Sequence, residues 1–124
     1  MRSSLGNDSA KRARYHLAVD GTAWAGSAMV AARTRLEIAT ENLANVSTRG
    51  FRPVAARGFL TALGVTIARE RGNRSSGPDP SSNVDAIAQM IDVLAAERSF
   101  ESAQKTVSAI DSTRQKSAEA ARVT

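Results

Sequence analysis

The side chains that could perform catalysis are few, and their spacing is poor for it. Glu97 and Glu101 are one helical turn apart, a separation at which two carboxylates could share acid–base work, but Lys105 continues the same row. An exposed ladder of charged side chains accounts better for this spacing. His16 is the single histidine and cysteine is absent, which leaves no pattern of thiolate or imidazole metal ligands. We therefore predict no enzyme, no cofactor and no small-molecule substrate.

A second set of polar side chains lies in the sequence ENLANVSTRGF, residues 41–51, at the end of a predicted helix. Two asparagines one helical turn apart stand where the last four backbone carbonyls lack partners. Their amides can donate to such carbonyls or to a neighbouring segment, while their oxygens accept. A glycine then allows positive φ, and a phenylalanine offers an apolar anchor. We predict a fastened turn made by Asn42, Asn45, Thr48, Gly50 and Phe51.

The helix that leads to this turn is predicted over about 22–46 by a stripe of apolar residues. Alternating spacings of four and three place the stripe on one face of an α-helix. Its members are Ala25, Met29, Ala32, Leu36, Ala39, Leu43 and Val46. Asp20 or Thr22 can cap the start of the helix, and Arg33 and Glu37 can pair weakly on its outer face.

Glycine and proline interrupt every candidate helix in the middle of the chain, residues 51–83. Apolar residues alternate with small or polar ones over 63–68, which predicts a half-buried strand that pairs as a hairpin with residues near Phe59. The sequence RERGNRSSGPDPSS, residues 69–82, is typical of a mobile loop. A lone hairpin is marginally stable in water, so it should depend on the helices or on a neighbouring subunit.

A second helix is predicted over about 83–119, starting at Ser82 or Asn83, with Asp85 near the positive end of the helix dipole. Its two halves carry apolar stripes on roughly opposite faces. These are Val84, Ile87, Ile91 and Leu94 in the first half, and Ala96, Phe100, Ala103, Val107 and Ile110 in the second. A helix of this kind suits more than one partner.

The net charge of +5 raises the possibility of nucleic acid or an anionic membrane as a partner. No stacking aromatics are interleaved with the basic groups, and no nucleic-acid fold signature occurs. We predict instead a flexible basic segment over 1–20, followed by a single domain over 21–124. Residues 1–20 lack the apolar region of a cleavable signal peptide, so a protein leaving the cytoplasm would need another route.

Two motifs carry a resemblance to a known family. The sequence TRLEIATENLANVSTRGFR resembles the N-terminal motif of bacterial flagellar rod and hook proteins, N-L-A-N-x-x-T-x-G-F/Y-[KR]. The matching positions are Asn42, Leu43, Ala44, Asn45, Thr48, Gly50, Phe51 and Arg52. The sequence SSNVDAIAQMIDVLAAERSFE is similar to the C-terminal helix of the same proteins. Its matching positions are Ser82, Asn83, Val84, Asp85, Met90, Ile91, Ala96, Arg98, Ser99, Phe100 and Glu101.

The resemblance implies a mainly α fold in which two long N- and C-terminal helices pair as a coiled-coil-like hairpin, with a short β-hairpin or loop region between them. It also implies a structural subunit of the flagellar basal-body rod that polymerises into the hollow drive shaft. The implied partners are other copies of the chain, other rod proteins and the type III export apparatus. Only 36 residues separate Val46 from Asn83, which favours the short proximal-rod type.

The predicted assembly interface combines the apolar stripes of both helices. It consists of Ala25, Met29, Ala32, Leu36, Ala39, Leu43, Val46, Ile87, Met90, Ile91, Leu94, Phe100, Val107 and Ile110. Two alternatives remain open at this point. One is a helical adaptor or regulator that binds partner helices without polymerising, and the other is a basic protein that binds nucleic acid or a membrane surface.

Overall fold

The computed structural model describes the backbone of residues 4–61, 63–72 and 84–122, and side chains from residue 21 onward. Helix α1 spans Ser4–Ala44, strand β1 Val54–Thr61, strand β2 Gly64–Arg71 and helix α2 Ala86–Arg122. The two helices pair with each other, and the antiparallel β-hairpin lies between them in sequence. This arrangement confirms the predicted fold class.

Helix α1 begins at Ser4, well before the predicted start near residue 22, and it ends at Ala44. The Asp20–Thr22 sequence does not act as a breaker, because one glycine inside a helix costs only about 1 kcal/mol relative to alanine. The helix ends in a more tightly wound 3₁₀-type turn, in which each N–H bonds to the carbonyl three residues earlier. These hydrogen bonds run from Asn45 N to Asn42 O (3.1 Å) and from Val46 N to Leu43 O (3.2 Å). His16 lies in the part of α1 described by its backbone alone, and the flexibility of residues 1–20 stays a prediction.

Helix α2 begins at Ala86 and ends at Arg122, about three residues later at each end than predicted. Its start is set by Asp85, whose Oδ1 accepts hydrogen bonds from the backbone N–H groups of Ile87 (3.0 Å) and Ala88 (3.2 Å). Asp85 is therefore the N-cap, and Val84 before it is not helical. The other predicted caps, Ser82 and Asn83, lie outside the described residues.

The contact between the helices is built mainly from alanine. Ala25, Ala32 and Ala39 are buried on α1 at intervals of seven residues, and Ala96 and Ala103 are buried on α2 at the same interval. This is coiled-coil spacing, and small side chains let the two backbones approach closely. Each alanine buries little apolar area, so the contact contributes less hydrophobic free energy than a leucine seam would.

The hairpin forms where the sequence predicts it, with Phe59 opposite Thr66 and Thr61 opposite Gly64. Strand β2 continues to Arg71, so residues 69–71 belong to a strand and not to the predicted loop. Two ion pairs accompany this extension, Arg69 with Glu41 of α1 and Arg57 with Glu70 across the hairpin. Residues 73–82 of the predicted loop lie outside the described part of the chain.

Ser27 of α1 holds the tip of the hairpin. Its Oγ donates to the carbonyl of Trp24 (2.8 Å) and accepts from the backbone N–H of Val65 (3.0 Å). Gly64, next to that amide, has φ of 134°, and a Cβ built on it would lie 2.0 Å from Ser27 Oγ. Close approach and backbone conformation both require glycine at position 64.

We expect Gly64→Ala to lower the free energy of unfolding by about 1–3 kcal/mol, because the new methyl group displaces Ser27 and the backbone is strained. Gly26→Ala is the matched control, since nothing lies within 4 Å of its Cβ position inside α1. That substitution should raise the stability by roughly 1 kcal/mol. Urea unfolding followed by circular dichroism measures both. Equal midpoints for the two variants would contradict this account of the hairpin tip.

Candidate functional site

Asn42, near the end of α1, joins three elements through one side chain. Its Nδ2 donates to the backbone carbonyl of Val54 (2.8 Å) and to Oε1 of Gln89 in α2 (2.9 Å). Its Oδ1 accepts from the backbone N–H of Val54 (2.8 Å). The residue is only 2% exposed. We call this set of contacts, made by Asn42, Val54 and Gln89, the asparagine clasp.

The clasp supplies hydrogen-bond partners to the buried backbone at the start of β1. Val54 is buried, and a buried backbone N–H or C=O without a partner is costly. The side-chain amide of Asn42 presents one donor and one acceptor to Val54, as a neighbouring strand would. Its second N–H is taken by Gln89. No described buried side-chain nitrogen or oxygen lacks a hydrogen bond, so the clasp is fully satisfied.

The rest of the predicted turn motif fastens the chain as it leaves α1. Asn45 Nδ2 donates to the carbonyl of Glu41 (2.8 Å), one of the groups that the helix end leaves without a partner. Thr48 Oγ1 donates to Asn45 Oδ1 (3.1 Å). Gly50 has φ of 72°, and the N–H of Phe51 then donates to the carbonyl of Thr48 (3.1 Å). Phe51 is half-buried.

Arg52 and Gly72, which are not among the five residues predicted to form the turn, close the base of the hairpin. Arg52 Nε donates to the carbonyl of Gly72 (2.7 Å), and the N–H of Gly72 donates to the carbonyl of Pro53 (2.8 Å). Arg52 matches the final position of the N-terminal motif, so the sequence did signal it. Gln89 and Gly72 carry no such signal, because their roles depend on contacts with residues far along the chain.

The predicted interface residues fall into three groups by burial. Ala25, Ala32 and Ala39 are buried, and Met29, Leu36, Leu43, Val46, Phe100, Val107 and Ile110 are half-buried. The third group is exposed by 54–72% and consists of Ile87, Met90, Ile91 and Leu94 in the first half of α2. We call these four residues the α2 stripe. Large aliphatic side chains with this exposure form an unpartnered helix face.

The charged residues considered first for catalysis lie one helical turn apart along an exposed face of α2. Glu97, Glu101 and Lys105 are all exposed on α2. Within the described ranges no three His, Cys, Asp or Glu side chains gather as a metal site would require. Nor is any described helix both long and apolar enough to cross a membrane. The asparagine clasp consists of neutral amides, which orient segments and do not transfer protons near neutral pH.

We expect Asn42→Ala to lower the free energy of unfolding by about 1–3 kcal/mol, because both backbone groups of Val54 and the Gln89 side chain lose their partner. Thr40→Ala is the matched control on the same helix. Thr40 is exposed and donates only to the carbonyl of Leu36, so its removal should change stability by less than about 0.5 kcal/mol. Chemical denaturation compares the two. A loss in Asn42→Ala no larger than in Thr40→Ala would mean that the clasp does not stabilise the fold.

Comparison with known families agrees with the positions of these elements. Residues 24–52, which include most of the described side chains of α1 and the turn, match the family described as flagella basal body rod protein. Residues 80–120, which include most of α2, match the family described as flagellar basal body rod FlgEFG protein C-terminal. No individual curated protein matches the chain. The two family models together cover more than half of the sequence, in the order expected along it, and the chain belongs to the flagellar basal-body rod proteins.

Proposed function

We propose that this chain is a structural subunit that polymerises through its terminal helices into the hollow drive shaft of the flagellar rod. The observation that carries the proposal is the α2 stripe, whose four large aliphatic side chains lie at the surface. An isolated domain gains stability by burying such side chains. A polymer subunit can leave them exposed until a neighbour covers them.

The thin core supports the same proposal. Among the described residues, six of the eight buried apolar side chains are alanine. Small cores leave little free energy after the entropy cost of ordering the chain. Contacts between subunits would add the missing apolar burial, and a contact that joins two different surfaces repeats into an open filament.

The proposed partners are other copies of this chain, other rod proteins and the type III export apparatus, with the flagellar basal body in the cell envelope as the location. Export without a cleavable signal peptide is part of this proposal. Only a hairpin is described between the helices, which suits the short proximal-rod type. We propose no enzymatic activity, cofactor, nucleic acid or small-molecule substrate for it.

The location of an epitope-tagged copy tests this function. Hook-basal bodies and cytosol from flagellated cells are compared by immunoblot, with and without a block of type III export. We expect the tag in hook-basal bodies, and its loss from them when export is blocked. Recovery from the cytosol alone would overturn the rod proposal and favour a helical adaptor.

We expect Ile91→Asp to prevent incorporation into hook-basal bodies, because a buried charge at a subunit contact costs several kcal/mol in each subunit. Val30→Asp on α1 is the matched control. Val30 is exposed to a similar extent, 66% against 61%, but it lies outside the predicted interface. Both side chains are exposed, so neither change should unfold the monomer. Immunoblots of purified basal bodies and a motility assay report the result, and equal incorporation of the two variants would exclude the α2 stripe from assembly.

A further inference from the structure

A groove runs along α1 between the hairpin and α2. Both elements pack on α1, but the described parts of the hairpin and α2 do not pack against each other. The space between them has two parts, with volumes of about 500 and 340 Å³, that share Arg35 and Ser99 in their lining. The clasp residues Asn42 and Gln89 line the larger part. We call this space the central groove.

Small side chains line most of the central groove. Ala31 and Ala32 of α1, Ala56 and Gly58 of β1, and Ala95 of α2 are among its lining residues. Small residues let another backbone come close, so large side chains on that backbone could fill the space. The groove therefore fits an element that presents bulky aliphatic residues at regular intervals.

The chain itself carries an element of this kind. The members of the α2 stripe, residues 87, 90, 91 and 94, follow the i, i+3, i+4, i+7 spacing by which an amphipathic helix docks in an apolar groove. Ala95, Ala96 and Ser99 face the groove of their own molecule. At 100° per residue the stripe lies on a different side of α2. The stripe thus cannot fill the groove of its own chain, but it can reach that of a second copy.

Charge favours the same pairing. The segment from the end of the turn through the hairpin, residues 49–72, has five arginines and one glutamate, a net charge of +4. The start of α2 with its cap, residues 85–101, has four carboxylates and one arginine, a net charge of −3. Opposite charges across a contact speed the encounter and select its orientation. Within the groove itself Arg35 of α1 is positive and Asp92 of the receiving α2 is negative, so the attraction for an incoming α2 comes from the hairpin side of the groove.

We propose that the central groove of one copy receives the first half of α2 from the next copy, with the α2 stripe seated between the hairpin and α2 of the receiving molecule. This inference rests on the proposed function and names the two surfaces that meet. Because groove and stripe are different surfaces, a bound pair keeps one groove and one stripe unoccupied, one on each subunit. The contact then repeats along a filament.

Engineered disulfides test the pairing directly, since the natural chain has no cysteine. The double variant Ala56→Cys with Ile91→Cys has one thiol on the groove wall and one on the stripe. On mild oxidation we expect a ladder of dimers, trimers and larger species in denaturing gels without reductant. The matched control is Ala68→Cys with Ile91→Cys. Ala68 pairs with Arg57, whereas Ala56 pairs with Arg69. Because neighbouring residues of a strand point to opposite faces, Ala68 lies on the other face of the hairpin from Ala56, and it is exposed there.

A second variant tests the groove without cross-linking. Ala56→Trp should fill the groove wall and weaken self-association about ten-fold or more, a loss of at least about 1.4 kcal/mol. Ala68→Trp should leave self-association unchanged. Sedimentation velocity of the purified full-length chain measures both, and circular dichroism shows whether each variant keeps its helices.

The outcomes separate this inference from the proposed function. Cross-linking is carried out on the purified chain and on isolated hook-basal bodies. A chain that enters basal bodies but gives no ladder, gives dimers only, or cross-links equally through Ala68→Cys would overturn the groove inference and leave the rod function intact. A ladder from the purified chain with no protein in basal bodies would support the groove contact and overturn the rod function.

Discussion

The hydrogen bonds between the Asn42 side chain and the backbone of Val54 are the constraint on which the rest of the fold depends. Val54 is buried at the point where the chain turns back along α1, and both of its backbone groups bond to the Asn42 side chain. Because Asn42 stands on a rigid helix and also binds Gln89, the same residue sets where β1 begins and where α2 crosses. An apolar residue at position 42 could pack there but could not hydrogen-bond to the backbone N–H and carbonyl of Val54.

From this point the hairpin depends on α1 along its whole length. Two strands alone are marginally stable in water, and this hairpin has no third strand among the described residues. Asn42 holds its base, Glu41 pairs with Arg69 along β2, and Ser27 binds Val65 at the tip. These polar contacts place the hairpin on one side of α1 and leave another side to α2. The central groove follows from that division.

The features that the sequence predicts well are those that depend on nearby residues. Local patterns predict a helix from the apolar stripe of α1, a strand from the alternation over 63–68, and a turn from Gly50. The helices, hairpin and turn appear in the predicted order. Features that depend on distant contacts were missed. Gln89 has no local signal for binding Asn42, because the two residues are 47 positions apart in the chain. The groove could not be predicted from sequence, because it exists only if the hairpin and α2 pack on different sides of α1.

Polar and apolar contacts divide the work between the folding of one chain and its proposed assembly. Within the chain, buried alanines bring the helices close and the Asn42–Gln89 hydrogen bond links them near the end of α1, with little apolar area buried. Burying a large aliphatic side chain contributes about 1.5–3 kcal/mol, several times the share of one alanine methyl group, and the α2 stripe keeps four such side chains at the surface. A monomer of this kind folds without burying the α2 stripe, which is its largest remaining source of hydrophobic free energy. In the proposed rod that free energy becomes available only when the next subunit arrives, so assembly would be favoured at the growing tip, where an unoccupied groove or stripe is present.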